Sequence, residues 1–308
     1  MLKFIAKRLL ALIPVMIGVT FIVYFIMSLA PGDPARMILG EQAAPEAIVA
    51  LREEMGLDDP FIVQYGRYMF NLLKGDLGTS YKTKNAVSEE IFARLPNTFK
   101  LAGFSTLISI VLALPLGIIA AVKQNTLFDG ISMFIALLGV SMPVFWMGLL
   151  LILLFSLKLG WFPVSGAKGF SSYILPGFAL GFLHMAAIAR TTRSSMLETI
   201  RQDYIRTVRA KGLAERKVIT DHALKNALIP TITVIGLQIG AMMGGSVLTE
   251  SVFAWPGIGR LMVSSIQGRD IPMVLGCILM FSIAFSIINL IVDIVYGFVD
   301  PRIKSQYK

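Results

Sequence analysis

The sequence predicts an all-α polytopic membrane protein with six transmembrane helices, and three observations carry that prediction. Of its 308 residues, 56% are hydrophobic and only 15% are charged, whereas about a quarter of a soluble domain is charged. The apolar residues fall in long uncharged runs rather than at amphipathic spacing. Lys and Arg gather in alternate connecting segments, as they do in the cytoplasmic loops of membrane proteins.

Each span follows from length. About 20 residues at 1.5 Å rise cross a hydrocarbon core of roughly 30 Å. Leu9–Ala30, Leu101–Val122, Ile131–Leu157 and Ala227–Thr249 carry no charge, Phe170–Ala189 holds only His184, and Ile271–Val299 holds only Asp293. Backbone polar groups in lipid must be satisfied within the segment, so these runs are helices. The first resembles a signal peptide, but it is too long and no small-residue cleavage site closes it, so it reads as a retained first helix.

Orientation follows from the connecting segments. Lys3, Lys7, Arg8 and Lys123 lie on one side with nine Lys/Arg between Arg190 and Lys225 and with Arg302, Lys304 and Lys308. The short loops opposite hold only Lys158, Lys168, Arg260 and Arg269. The positive-inside rule then puts both termini in the cytoplasm and assigns the net charge of +9 to topology, not to nucleic acid. Cys277 is the single cysteine, which excludes an internal disulfide and a Cys metal cluster.

The chain divides into a tail and first span over 1–30, an extracytoplasmic cap over 31–98, a core over 99–299 and a cytoplasmic tail over 300–308. The cap carries helical patterning at Pro45–Met55 and Phe61–Leu73, with turn signals at Gly56–Pro60 and Gly75-Asp76. The strongly basic segment 190–226 lies inside. No Gly-x-x-x-x-Gly-Lys-Ser/Thr phosphate loop occurs, so any ATP that drives this chain binds elsewhere.

Within 190–226, Asp203–Lys211 has good helix formers, with Ile205 and Val208 as a narrow apolar stripe. Gly212 breaks that helix, and a second runs from Glu215 to Leu228 and on through Pro230 into the next span. Two short helices about a glycine turn make a knob that can pass a partner's push into the attached spans.

This segment resembles the coupling loop of the permeases of binding-protein-dependent ABC importers. It departs from their general Glu-Ala-Ala-x-x-x-Gly pattern, since Arg206-Thr207-Val208 precedes Arg209-Ala210-Lys211-Gly212 and Lys225 stands near a common proline position. It is similar instead to the dipeptide/oligopeptide/nickel branch, in Asp203-Tyr204-Ile205-Arg206-Thr207-Val208-Arg209-Ala210-Lys211-Gly212 and His222-Ala223-Leu224-Lys225-Asn226-Ala227. Further pieces follow in order: Pro31-Gly32-Asp33-Pro34, Gly56-Leu57-Asp58, Gln64-Tyr65, Gly75–Gly78, Ser141-Met142-Pro143, Phe145-Trp146, Phe253–Arg260, Arg269-Asp270, and Asn289, Asp293 and Asp300-Pro301-Arg302.

The resemblance implies a type I ABC importer permease core in a bacterial inner (cytoplasmic) membrane. Its partners would be a second homologous permease, two ABC ATPase subunits holding ATP and Mg, and an extracytoplasmic substrate-binding protein. Tyr204, Arg206, Thr207, Arg209, Ala210, Lys211, Gly212, Leu213, Ala214 and Glu215 would form the ATPase-coupling loop. This chain would bind no cofactor or metal and catalyse nothing. Relatives handle dipeptides, longer peptides, glutathione and nickel complexes; short peptides are the expected cargo.

Single residues carry two readings each. Gly236, Gly240 and Gly244, four apart, allow close helix approach, within the subunit or toward a partner permease. Gln238, in mid-span, must find a partner, as glue between helices or as a contact for substrate. Glu250, at the outer end of the fifth span, is a candidate contact for substrate or for the binding protein. Asn289 and Asp293 pair at i,i+4 as a structural bond or a gate. Met142, Pro143 and Trp146 are pathway candidates in the third span, where proline kinks a helix. Trp255-Pro256-Gly257 and Arg260 form an outer loop, either an interfacial aromatic or a segment reaching into the pathway. A stand-alone secondary transporter would instead show inverted repeats and several midplane charges; neither is evident. A membrane-embedded enzyme would need a nucleophile and base within the spans, and no such arrangement appears.

Overall fold

The structure, a computed structural model, describes residues 2–29, 32–40 and 42–299, with side chains from 10 to 295. The expected tail 300–308, with Asp300, Pro301 and Arg302, lies outside the described residues, as does Pro31. Among the described residues the regular structure is helical apart from one antiparallel bridge, Thr79 to Ala86, with turns and irregular backbone between the helices. In order the helices are α1 (Leu2–Leu29), α2 (Pro34–Leu39), α3 (Pro45–Met55), α4 (Phe61–Leu73), α5 (Val87–Val122), α6 (Leu127–Ser141), α7 (Val144–Leu151), α8 (Ser171–Ile200), α9 (Asp203–Ala210), α10 (Glu215–Lys217), α11 (Leu224–Val252), α12 (Ile258–Gln267) and α13 (Ile271–Val299). π-helical turns at Ile152–Lys158 and Val218–Ala223 extend α7 and join α10 to α11.

Five of these helical stretches are long and apolar enough to cross a membrane: Leu10–Leu29, Val87–Val122, Ser171–Ile200, Glu215–Val252 and Ile271–Val295. The third expected span differs. The sequence suggests one run over Ile131–Leu157, but the structure breaks it into α6 and the α7 stretch, bent by 104°. Pro143 lacks a backbone N–H, and its ring pushes the residue before it out of the helical region. Met142 accordingly sits at φ −100°, ψ 125°, and the helix ends at Ser141. Pro176 and Pro230 are carried inside α8 and α11 without a break.

The chain forms two compact units. The first holds Phe99–Trp255 and, of the described residues, 285–299. Its centre is α8, against which neighbouring helices approach almost backbone to backbone. A Cβ on Gly139 of α6 would fall 2.3 Å from the Phe182 carbonyl oxygen. One on Gly181 would fall 2.6 Å from the Ser105 carbonyl oxygen, and one on Gly117 would meet Thr192 Cβ at 2.6 Å. Small residues are what lets helices pack where lipid supplies no hydrophobic drive. Met185, Ile188, Ala113, Ala136, Ala186 and Ala189 are sealed between these contacts. Phe134, Leu137 and Leu149 remain exposed, as lipid-facing residues do.

The second unit holds Leu2–Thr98 and Pro256–Ala284. Its apolar centre joins Val87, Ile91, Ile258, Met273 and Cys277. The cap helices are tied to α1 through Tyr65, whose Oη donates to the Ile17 carbonyl at 3.0 Å and shares a 3.0 Å hydrogen bond with Thr20 Oγ1. Phe61 and Tyr65 pack edge-on against Phe21. Arg52 bridges Asp33 at 3.0 Å and Asp58 at 2.5 Å. Asp270, almost fully buried, accepts from Ser80 Oγ at 2.5 Å and from the backbone N–H of Tyr81, Lys82 and Met273 at 3.1–3.4 Å. Burial pushes the Tyr81 phenol well above its ordinary pKa.

Candidate functional site: a helix–glycine–helix knob and the span core it stands on

The segment between α8 and α11 folds as two short helices about a glycine. α9 covers Asp203–Ala210 and ends at Lys211, whose N–H donates to Thr207 O at 3.2 Å. Gly212 then takes φ +77°, a left-handed value that a Cβ penalises. Nothing lies within 4 Å of where that Cβ would sit, so backbone strain, and not space, selects glycine.

Two features fix the knob. Ile205 is fully buried and Val208 packs beside it, in a cluster with Ala121, Met196, Val218, Ile219, Ala223 and Ala227. The stripe expected from sequence is thus seated on the ends of α5, α8 and the α10–α11 stretch. Across the turn, Arg209 grips Glu215 with both fork positions, Nε to Oε2 at 3.0 Å and Nη2 to Oε1 at 2.7 Å. That carboxylate holds the Arg209 guanidinium above its ordinary pKa. Asn226 Nδ2 also donates to Tyr204 Oη at 2.7 Å.

The opposite face is open. Arg206, Thr207 and every residue from Ala210 to Lys217 are exposed, Leu213 and Tyr204 among them. Among the described residues Arg206 forms one ion pair, with Asp203 at 3.6 Å. The exposed surface is rich in basic side chains, with Tyr204 and Leu213 standing out from it.

The remaining candidates scatter. Met142, Pro143 and Trp146 share the α6–α7 break, and Pro143 and Trp146 are exposed there. Gly236 and Gly240 press against α13, where their Cβ atoms would meet Val292 at 2.3 Å and Asn289 Oδ1 at 3.1 Å. Gly244 meets nothing within 4 Å, so the stripe serves the subunit's own packing at two of its three positions. Asn289 therefore faces Gly240, while Asp293 lies half-buried one turn further along.

Two outer candidates are less available than sequence suggests. Glu250 is fully buried. Trp255 is fully buried too, with its ring edge-on to Tyr173 at 4.6 Å between centroids. Its ring is closed off within this chain and does not stand at the surface as an interfacial aromatic would. A backbone hydrogen bond from Trp255 N to Glu250 O at 2.8 Å closes that corner. Pro256 is half-buried, Gly257 is buried, and only Arg260 stands in the open.

Sequence reasoning missed two pairs. Gln238 Oε1 lies 2.6 Å from His184 Nδ1, which joins α11 to α8. Asp129 at the start of α6 accepts both fork positions of Arg193 on α8, each at 2.7 Å, and the Asn125 N–H at 3.1 Å. Opposite charges at the ends of two neighbouring spans were the available signal for the second pair.

Comparison with known proteins fits this arrangement. Residues 1–102 and 113–305 match the two family descriptions "Binding-prot-dependent transport system membrane comp, N-term" and "Binding-protein-dependent transport system inner membrane component". A dipeptide transport system permease protein of Alkalihalophilus pseudofirmus is 48% identical over 99% of this chain and all of its own length. A glutathione transport system permease protein of Escherichia coli is 43% identical over 99% of this chain and all of its own length. Among solved structures, the inward-facing MetNI methionine ABC transporter matches 68% of this chain and 95% of its own at TM-score 0.57 and 19% identity, a likeness of fold.

Proposed function

This chain belongs to the family of binding-protein-dependent transport system inner membrane components, as a non-catalytic permease of an ABC importer, and we propose that it forms half of a translocation pathway for dipeptides in a bacterial cytoplasmic membrane. A permease of this class works in a complex with ATPase and substrate-binding partners. In our reading the second half of the pathway is a homologous permease. Two ATPases hold the ATP and Mg, and the binding protein delivers cargo from outside.

The observation that carries the mechanism is the knob: a helix–glycine–helix whose inner face is sunk among the ends of three helical stretches while its outer face is bare. When the ATPase pair closes, a push on the bare face passes through Ile205 and Val208 into those helices. Arg209 and Glu215 keep the two short helices from folding about Gly212 under that load. We read α6 and the α7 stretch as one broken span, which gives six spans and puts both termini in the cytoplasm with the knob, in keeping with the positive residues there. The cap then lies outside, on the side of the binding protein.

Identity to the dipeptide permease supports dipeptides as cargo. The 43% identity to glutathione permeases favours a second reading in which the cargo is glutathione, itself a short peptide. Uptake of radiolabelled dipeptide and radiolabelled glutathione, in cells lacking this chain and in cells with it restored, separates the two. Restoration of neither would overturn both. In the assembled complex Glu215→Lys and Gly212→Trp should keep ATP hydrolysis and lose uptake. Normal uptake in both variants would remove the coupling role.

A further inference from the structure

The groove between α6 and α8 is not used by the mechanism above. It encloses about 420 Å³ and is lined by Met133, Leu137, Arg190 and Arg193. We propose that it is a binding site for an anionic phospholipid, with the headgroup phosphate on Arg190 and an acyl chain along Met133 and Leu137.

Charge is the first argument. Arg193 is committed, since its Nε and Nη2 both bond Asp129 and the pair is neutral. Arg190 is exposed and has no ion-pair or hydrogen-bond partner among the described residues. The groove therefore presents one unspent guanidinium, whose planar fork suits phosphate oxygens.

Depth is the second. From Ser171 to Arg190 is about 28 Å of helix axis, close to one hydrocarbon thickness. Arg190 thus lies at the membrane boundary on the knob side, which is cytoplasmic in the six-span reading on which this inference rests. Basic pockets between transmembrane helices on that side recognise anionic headgroups.

The wall is the third. Met133 and Leu137 line the groove one turn apart on α6, with Leu137 54% exposed. They lead from the Asp129 end of α6 toward its far end, an apolar strip running away from the charge. A peptide laid there would leave its amides unpaired against Met133 and Leu137, which hydrocarbon does not tolerate. A lipid tail has no amides to satisfy.

The test is native mass spectrometry of the intact complex, released from nanodiscs of equal phosphatidylglycerol and phosphatidylcholine with identical chains. The wild-type complex should retain phosphatidylglycerol in preference to phosphatidylcholine. Arg190→Gln should lower that preference about fivefold, the worth of one arginine at a membrane surface, and Arg190→Lys should restore most of it. Equal retention of the two lipids by wild type, or undiminished preference in Arg190→Gln at an unchanged melting temperature, would overturn the site. Loss of preference when millimolar inorganic phosphate is added would also overturn it, by showing a simple anion site. The orientation is checked separately with Arg190→Cys. Labelling by an impermeant thiol reagent from outside intact cells would refute the six-span reading itself, whatever the lipid result.

Discussion

The two hydrophilic segments of this chain, 31–98 and 190–226, are held by different balances of polar and apolar contact. The longer one is laced by polar ties: Arg52 to Asp33 and Asp58, Arg67 to Asp59 at 2.5 Å, Tyr65 to Ile17, and the buried Asp270 to the loop at Ser80–Lys82. The shorter one is seated by apolar burial, with Ile205 at its centre, and carries one charged brace across its turn. Polar ties give a surface its shape while leaving it cheap to rearrange. Apolar seating makes a segment move with whatever it is seated on.

Substitutions sharpen this contrast, and the largest effect belongs to the shorter segment. Ile205→Ala opens a cavity under the knob and should cost about 2–5 kcal/mol, read as a lowered melting temperature and faster proteolysis within 190–226. An unchanged melt would mean the knob merely hangs from its flanking helices. Asp270→Ala leaves the Tyr81 and Lys82 N–H groups and the Ser80 hydroxyl without their acceptor and should cost about 1–3 kcal/mol. Hydrogen exchange should rise over 79–86 while the knob stays protected.

Gly212→Ala should cost about 1 kcal/mol through the left-handed backbone alone. Since nothing crowds the site, Gly212→Asn, which tolerates that conformation, should recover much of the loss; a larger loss for Asn would refute the strain argument. The smallest effect is expected at Arg67→Ala, which removes a half-exposed ion pair worth at most about 1 kcal/mol. Its contribution should fade further at high salt. A drop rivalling that of Ile205→Ala would erase the distinction between the two segments.

What the sequence made legible follows the same division. The knob could be read because its signals are local: a stripe at i,i+3, a glycine, and helix formers on both sides. Spans could be read because an uncharged run of sufficient length has few other fates. The break at Met142-Pro143 was half legible, since proline was visible but its severity depended on what received the two halves. The burial of Trp255 against Tyr173 and the His184–Gln238 pair were not legible, because the residues that meet are distant in sequence. Gly139 and Gly181 were hidden as well: isolated small residues in an apolar run look like any others until a facing carbonyl is found. Gly236 and Gly240 stood out through their spacing, yet spacing could not say that the partner was α13 of the same chain.

The broken third span also bears on how the protein is made. Neither α6 nor the α7 stretch, at 15 residues each, is long enough to cross a bilayer unaided. Their close contacts, Gly139 against Phe182 and Gly148 against Val252 and Phe253, are to residues synthesised later. The nascent chain therefore holds an incomplete span until α8 and α11 emerge to receive it. Ribosome pausing between α7 and α11 would lengthen the interval in which this segment lacks those contacts.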